Sequence, residues 1–98
     1  MNVSSSTFVE QLETIIRSRL DQPGENSYTR SLAQAGVKRI AQKVGEEAVE
    51  LGLASVDGDR DEVINEAADL VYHLLLLLNV QQITLADVSR TLEKRHFG

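Results

Sequence analysis

Cysteine is absent from this chain, which excludes disulfides and thiolate zinc sites and fits a reducing compartment. Proline occurs once and glycine six times in 98 residues, and β-branched runs are short. With so few breakers, and with Ala, Leu, Glu, Gln, Arg and Lys dominant, the chain reads as all-α. Positive charge is in deficit: ten basic residues against fifteen acidic ones leave a net charge of −5. Such a protein gains nothing from nucleic-acid backbones, so no nucleic-acid partner is expected, and a polyphosphate ligand would need a divalent cation as mediator. Long apolar runs are also missing. The longest, Leu74 to Leu78, is far too short to span a bilayer, and the Ser-rich stretch Met1 to Thr7 has neither the basic start nor the apolar segment of a signal peptide. The expectation is a soluble, cytoplasmic protein without membrane attachment, one domain over residues 1–98 around one core.

What is present is helical periodicity. Thr7-Phe8-Val9-Glu10 reads as a capping box, and Phe8, Leu12, Ile15 and Ile16 follow at helical spacing to about Leu20. Asp21 to Ser27, with Pro23 and Gly24, must be a loop, and Tyr28 to Ala35 a short helix stopped by Gly36. Val37, Ile40, Ala41, Val44, Ala48 and Leu51 form an apolar stripe on a third helix ending near Asp57-Gly58. Asp59, with Glu62 three residues on, caps a fourth helix to about Asn79, and Thr84 caps a last one to about Arg95. The expected architecture is an antiparallel bundle of four to five helices. Leu74 to Leu78 surrounds the fourth helix with apolar side chains, and a helix apolar all round must be covered on every side. A second copy would supply that cover, so dimerisation is expected to complete the bundle.

Acidic residues are placed with equal regularity. Glu46, Glu47 and Glu50 fall within about 100° of arc on the third helix, away from its apolar stripe. Glu62, Glu66, Asp69 and His73 line the fourth at spacings of four, three and four. Glu50 precedes Asp57 by seven residues and Glu66 follows Asp59 by seven, so at about 1.5 Å per residue the two stand level across the hairpin. Carboxylates so placed repel, and the cost grows with burial. A hard divalent cation reverses the sign. Carboxylates without Cys and with little His suit Mg²⁺ or Mn²⁺, which keep waters and complete their shells with substrate phosphates. Two solvated amphipathic faces are the plain alternative, but level sets on neighbouring helices favour a metal site.

These residues carry a resemblance. Lys43-Val44-Gly45-Glu46-Glu47-Ala48-Val49-Glu50, followed by Glu66-Ala67-Ala68-Asp69-Leu70-Val71-Tyr72-His73, resembles the phosphoribosyl-ATP pyrophosphohydrolases of histidine biosynthesis. The bare Glu-x-x-Glu and Glu-x-x-Asp pair is shared with the wider all-α nucleotide pyrophosphohydrolase superfamily. Lys-x-Gly, Tyr-His and Ser27-Tyr28-Thr29 look specific to the histidine branch. The resemblance implies a Mg²⁺-dependent homodimer that hydrolyses phosphoribosyl-ATP to phosphoribosyl-AMP and pyrophosphate. Glu47, Glu50, Glu66 and Asp69 would be the metal ligands, and Glu46 an outer ligand or the base for the attacking water. Many relatives carry a fused, zinc-dependent cyclohydrolase domain; this chain, short and free of Cys, resembles the stand-alone hydrolase. The order Pro23-Gly24-Glu25-Asn26 departs from the family's Pro-Glu-Gly arrangement.

Secondary roles have two readings each. Lys43 either contacts phosphate or pairs with Glu47 one turn on. His73 contacts substrate, orients a ligand carboxylate, or is a buried structural histidine. Tyr28 and Thr29 either contact the nucleotide or serve as a packing Tyr and a helix-start Thr. Lys38 and Arg39 read as solvated. The closest rival function is a house-cleaning nucleoside triphosphate pyrophosphohydrolase of the same superfamily, against which Tyr72-His73 and Ser27-Tyr28-Thr29 argue. A di-iron oxidoreductase would want Glu-x-x-His on two helices, whereas here Glu66 is followed by Asp69. A non-catalytic helical dimerisation module would explain the leucine run but not the level carboxylates.

Overall fold

The computed structural model describes residues 7–21 and 27–98, apart from the side chain of Thr7. Five helices account for the described residues: α1 (Thr7–Asp21), α2 (Tyr28–Ala35), α3 (Val37–Asp57), α4 (Arg60–Val80) and α5 (Leu85–Phe97). No strand occurs among them. The Thr7 side chain of the expected Thr7–Glu10 capping box and residues 22–26 of the expected Asp21–Ser27 loop lie outside the described residues, and Asp21 is the last residue of α1.

Local chemistry sets the boundaries. Ser27 Oγ accepts from Arg30 N at 3.1 Å to start α2. Asp59 Oδ1 accepts from Asp61 N and Glu62 N at 3.1 and 3.3 Å to start α4. Thr84 and Asp87 bond reciprocally across the first turn of α5, a complete capping box. Gly36 and Gly58 end α2 and α3 at φ of 102° and 80°, where a Cβ would be strained. Between Asp57 and Arg60 only Gly58 and Asp59 intervene, so α3 and α4, 21 residues each, fold back as an antiparallel hairpin.

That hairpin is the frame. α1 packs on α4, and α2 touches α1, α3 and α4. Ile16, Leu32, Ile40, Leu75 and Leu76 form the buried core, with Leu12, Leu20, Tyr72, Leu77, Val80 and Leu85 packed around it. By length and composition α4 could cross a membrane. It nevertheless carries Glu66 and Asp69, and its leucines feed the core of a bundle.

Two sequence expectations change here. Part of the leucine run is covered within the chain: Leu75 and Leu76 are buried in the core with residues of α1, α2 and α3, while Leu77 and Leu78 are half-buried and Leu74 is exposed. Exposed apolar side chains include Val49, Leu53 and Val56, which at spacings of four and three share one outer flank of α3. The stripe of α3 is also turned. Ile40, Glu47 and Ala54 are its buried residues, with Val44 and Leu51 half-buried between them, while Val37, Ala41 and Ala48 are exposed. Glu47 therefore sits in the packed line of α3, not beside it. The cause is a heptad-like 3-4 spacing from Ile40 to Ala54, which suits a long antiparallel pair.

A polar tie closes the far end of the bundle. The buried carboxylate of Glu13 accepts from Leu85 N at 2.7 Å and Asn79 Nδ2 at 3.2 Å. Arg17 Nε donates to Asn79 Oδ1 at 3.0 Å. A carboxylate at the first N–H of α5 meets the positive end of that helix, so charge and hydrogen bonding agree.

Candidate metal centre

The reach of α3 toward α4 brings Glu47, Glu66 and Asp69 together, one carboxylate oxygen from each lying within 4.8 Å of the others. Glu47 is buried and Glu66 half-buried, whereas Asp69 opens to solvent. Glu50, exposed on the next turn of α3, is close enough to act on the Glu66 carboxyl. The four residues expected as ligands are thus three in one cluster with the fourth adjoining it.

Positive charge reaches the cluster at one point. Lys43 Nζ lies 3.6 Å from Glu47 Oε2, across one turn of α3. The pairing reading of Lys43 is therefore realised. The other Glu47 oxygen, Oε1, and Glu66 Oε1 are buried without any hydrogen-bond partner. An unpaired buried carboxylate oxygen is costly. Burial, then the charge of Glu50 and a hydrogen bond with it, then the charges of Glu47 and Asp69 push the Glu66 carboxyl above its ordinary value.

This shift has a definite consequence for the metal-free protein. Glu66 holds its proton more tightly folded than unfolded, so it favours the fold below the ordinary 4.5, and that contribution is lost as pH rises through the raised folded value. Asp87, held low by its bonds to Thr84, changes only below its ordinary 3.8, outside this window. Thermal melts in chelator should show a component of stability that declines above pH 4.5 and is absent from Glu66→Gln. An identical pH dependence in parent and variant would contradict the shift.

A divalent cation fits the residues present. It would give Glu47 Oε1 and Glu66 Oε1 the partner they lack, and it would turn four mutually repelling carboxylates into a chelate. The donors are all oxygen, as Mg²⁺ and Mn²⁺ prefer. His73 is not among them, because the protein occupies both of its nitrogens. Nδ1 lies 2.8 Å from the Asp69 carbonyl, which can only accept, so Nδ1 carries the hydrogen. Nε2 is hydrogen-bonded to the Tyr28 hydroxyl at 2.9 Å. No histidine ligand remains there for a di-iron site.

Glu46 stands apart. It is exposed, and its Oε2 accepts from Gln42 Nε2 at 3.2 Å. It lines an open groove with Glu50, Val49 and Leu53 on the flank of the hairpin. Glu62, counted in the acidic stripe of α4, is exposed and engages the Asp59 cap through its backbone.

The two pairs that the sequence singled out, Tyr28-Thr29 and Tyr72-His73, interlock. Thr29 Oγ1 bonds to the Tyr72 hydroxyl, and the rings of Tyr28 and Tyr72 stack at 6.1 Å and 25°. Both rings meet His73 edge-on, at 5.9 and 5.0 Å. Thr29 is fully buried and His73 nearly so, while Tyr28 is 54% exposed. The first turn of α2 is thus clamped to α4 one turn past Asp69. Glu13, Arg17 and Asn79 went unnoticed in the sequence, because the tie they form joins residues more than 60 positions apart.

Comparison with known proteins bears on the whole domain. The family model described as phosphoribosyl-ATP pyrophosphohydrolase matches residues 9–96. The phosphoribosyl-ATP pyrophosphatase of Pyrobaculum arsenaticum is 47% identical over 91 residues, 93% of this chain and 97% of that protein. The histidine biosynthesis bifunctional protein of Photobacterium profundum is 49% identical over 89 residues, covering 91% of this chain and 43% of the relative. Its counterpart in Shigella sonnei is 52% identical over 89 residues, 91% of this chain and 44% of the relative. The chain therefore spans less than half the length of these bifunctional relatives.

Proposed function

Since the chain belongs to the phosphoribosyl-ATP pyrophosphohydrolase family, we propose that it hydrolyses phosphoribosyl-ATP to phosphoribosyl-AMP and pyrophosphate, the second step of histidine biosynthesis. The observation that carries the reading is the pair of buried, unpartnered oxygens, Glu47 Oε1 and Glu66 Oε1, within a cluster of carboxylates. Glu47, Glu66 and Asp69, with Glu50 beside them, would hold Mg²⁺, or Mn²⁺ in its place. A cation so held acidifies water and neutralises phosphate oxygens.

The protein's own groups do the rest. Glu46, outside the cluster but adjacent to it in sequence, takes the proton of the attacking water. Lys43 balances Glu47 and lies within a side chain's swing of an incoming phosphate. His73 fixes the carbonyl of Asp69, and with Tyr28 and Thr29 it forms the wall against which the nucleotide rests. The exposed apolar flank of α3 at Val49, Leu53 and Val56 supports a homodimer, since clustered exposed apolar side chains mark interaction surfaces. A soluble cytoplasmic enzyme is the corresponding setting.

Release of pyrophosphate from phosphoribosyl-ATP and from a panel of nucleoside triphosphates tests the proposal. Phosphoribosyl-ATP should be strongly preferred; preference for an ordinary triphosphate would favour the house-cleaning reading. Chelation should abolish turnover, and Mg²⁺ should restore it. The ion should also stabilise the fold, by about 2.7 kcal/mol at a hundred times its Kd. Full activity after exhaustive chelation would remove the metal from the reaction.

A further inference from the structure

The aromatic cluster at the start of α2 has a feature that neither metal binding nor packing uses. The stack with Tyr72 covers one face of the Tyr28 ring, yet Tyr28 remains 54% exposed. Its position is fixed, because its hydroxyl is spent on His73 Nε2 and Thr29, its neighbour in α2, is bonded to Tyr72. A fixed, electron-rich ring that is more than half exposed and stacked with a second such ring can serve as a stacking platform. Its distance from the carboxylates suits a nucleotide: His73 follows Asp69 by four residues, about 6 Å along α4, and the Tyr28 ring lies 5.9 Å beyond His73.

The substrate of the proposed reaction gives that platform a specific task. In phosphoribosyl-ATP the additional ribosyl group is attached to N1 of the adenine. An N1-alkylated adenine retains a proton at neutral pH and carries a positive charge spread over its ring, whereas the base of ATP is neutral. Tyrosine faces attract cations through the ring quadrupole. The surroundings do not oppose such a charge. The protein as a whole is acidic.

We infer that Tyr28, backed by Tyr72, is the specificity-determining platform that selects a cationic, N1-substituted adenine over the neutral base of ATP. The inference rests on the proposed function and adds to it the means of discrimination. Charge, not the bulk of the N1 substituent, is what the platform reads.

Three small probes with the same 5′-phosphate separate these possibilities by calorimetry: AMP, whose base is neutral and unsubstituted; 1-methyl-AMP, whose base is cationic; and 1-methyl-IMP, whose base is methylated at N1 but neutral. The parent protein should bind 1-methyl-AMP roughly tenfold more tightly than either of the others. Tyr28→Leu should erase that preference, and Tyr28→Phe should keep most of it, although both lose the bond to His73. The comparison of Phe with Leu thus isolates the ring face from the α2–α4 clamp. Equal binding of 1-methyl-IMP and 1-methyl-AMP would overturn the charge argument, and a preference unchanged in Tyr28→Leu would overturn the platform. Failure of the parent to hydrolyse phosphoribosyl-ATP would remove the proposed function and the inference with it. Hydrolysis with an unaltered preference in Tyr28→Leu would remove the inference alone.

Discussion

Glu66→Gln should abolish turnover while leaving the metal-free protein at least as stable as the parent. Glu66 stands where burial and the charges of Glu50, Glu47 and Asp69 all act against its ionised form. The amide has the same shape, removes one of the repelling charges, and brings hydrogens that Glu47 Oε1, now unpartnered, and the carboxyl of Glu50 can accept. Stability in chelator should therefore hold or rise. Function depends on the same charge in the opposite sense. One fewer anionic oxygen weakens the hold on a divalent cation, and turnover should fall by about two to three orders of magnitude, as when a preorganised electrostatic group is removed. Calorimetry with Mg²⁺ and melts in chelator measure the two arms. Unchanged metal affinity together with an unfolded metal-free variant would mean the cluster is structural. Glu46→Gln supplies the contrast: its carboxylate bonds to Gln42 outside the cluster, so turnover should drop while Mg²⁺ affinity changes little. Loss of metal binding in Glu46→Gln as complete as in Glu66→Gln would make Glu46 a ligand.

The parts of the fold that local chemistry controls were readable from the sequence. Asp59 and Thr84 are caps because their side chains satisfy the first N–H groups of a helix, and Gly36 and Gly58 are ends because only glycine takes their positive φ without strain. A two-residue link between helices of equal length then fixes the register that sets Glu50 and Glu66 level. What a single strand of pattern does not contain is which side of α3 faces α4. Apolar residues flank Val44 and Leu51 on one side and Glu47 lies on the other, so periodicity favoured the all-apolar line with Ala41 and Ala48. The structure instead packs the line that includes Glu47. A charged residue in a packed line violates the pattern that periodicity seeks, and such violations gather at functional sites.

The leucine run shows the same limit from the apolar side. Its composition says that Leu75 and Leu76 must be covered, but not by what. The cover comes from Ile16 on α1, Leu32 on α2 and Ile40 on α3, residues 35 or more positions away in the chain. The tie from Glu13 to Asn79 and Leu85 was equally hidden, since each residue alone reads as an ordinary solvated polar or helix-start position. By contrast, Tyr28-Thr29 and Tyr72-His73 stand out in the sequence mainly through family resemblance, and no period of either helix announces that they meet.

Leu76→Glu should unfold the protomer itself, because the side chain is fully buried among Ile16, Leu32, Ile40 and Leu75. Truncation to Ala at such a site costs about 2–5 kcal/mol, a large share of the roughly 5–15 kcal/mol that a domain commands. Glu would add the expense of an unpaired charge in an apolar site. Circular dichroism should show loss of helix at any protein concentration. Leu53→Asp puts the same kind of charge on a residue that is 63% exposed within the uncovered flank. The protomer loses no buried contact there, so its helix content should persist, and only assembly should suffer. Sedimentation at micromolar concentration should find a dimer in the parent and a folded monomer in Leu53→Asp. A folded monomeric Leu76→Glu would place that leucine at an interface after all. A dimer unaffected by Leu53→Asp would clear this flank of any part in assembly and leave its apolar residues to another role.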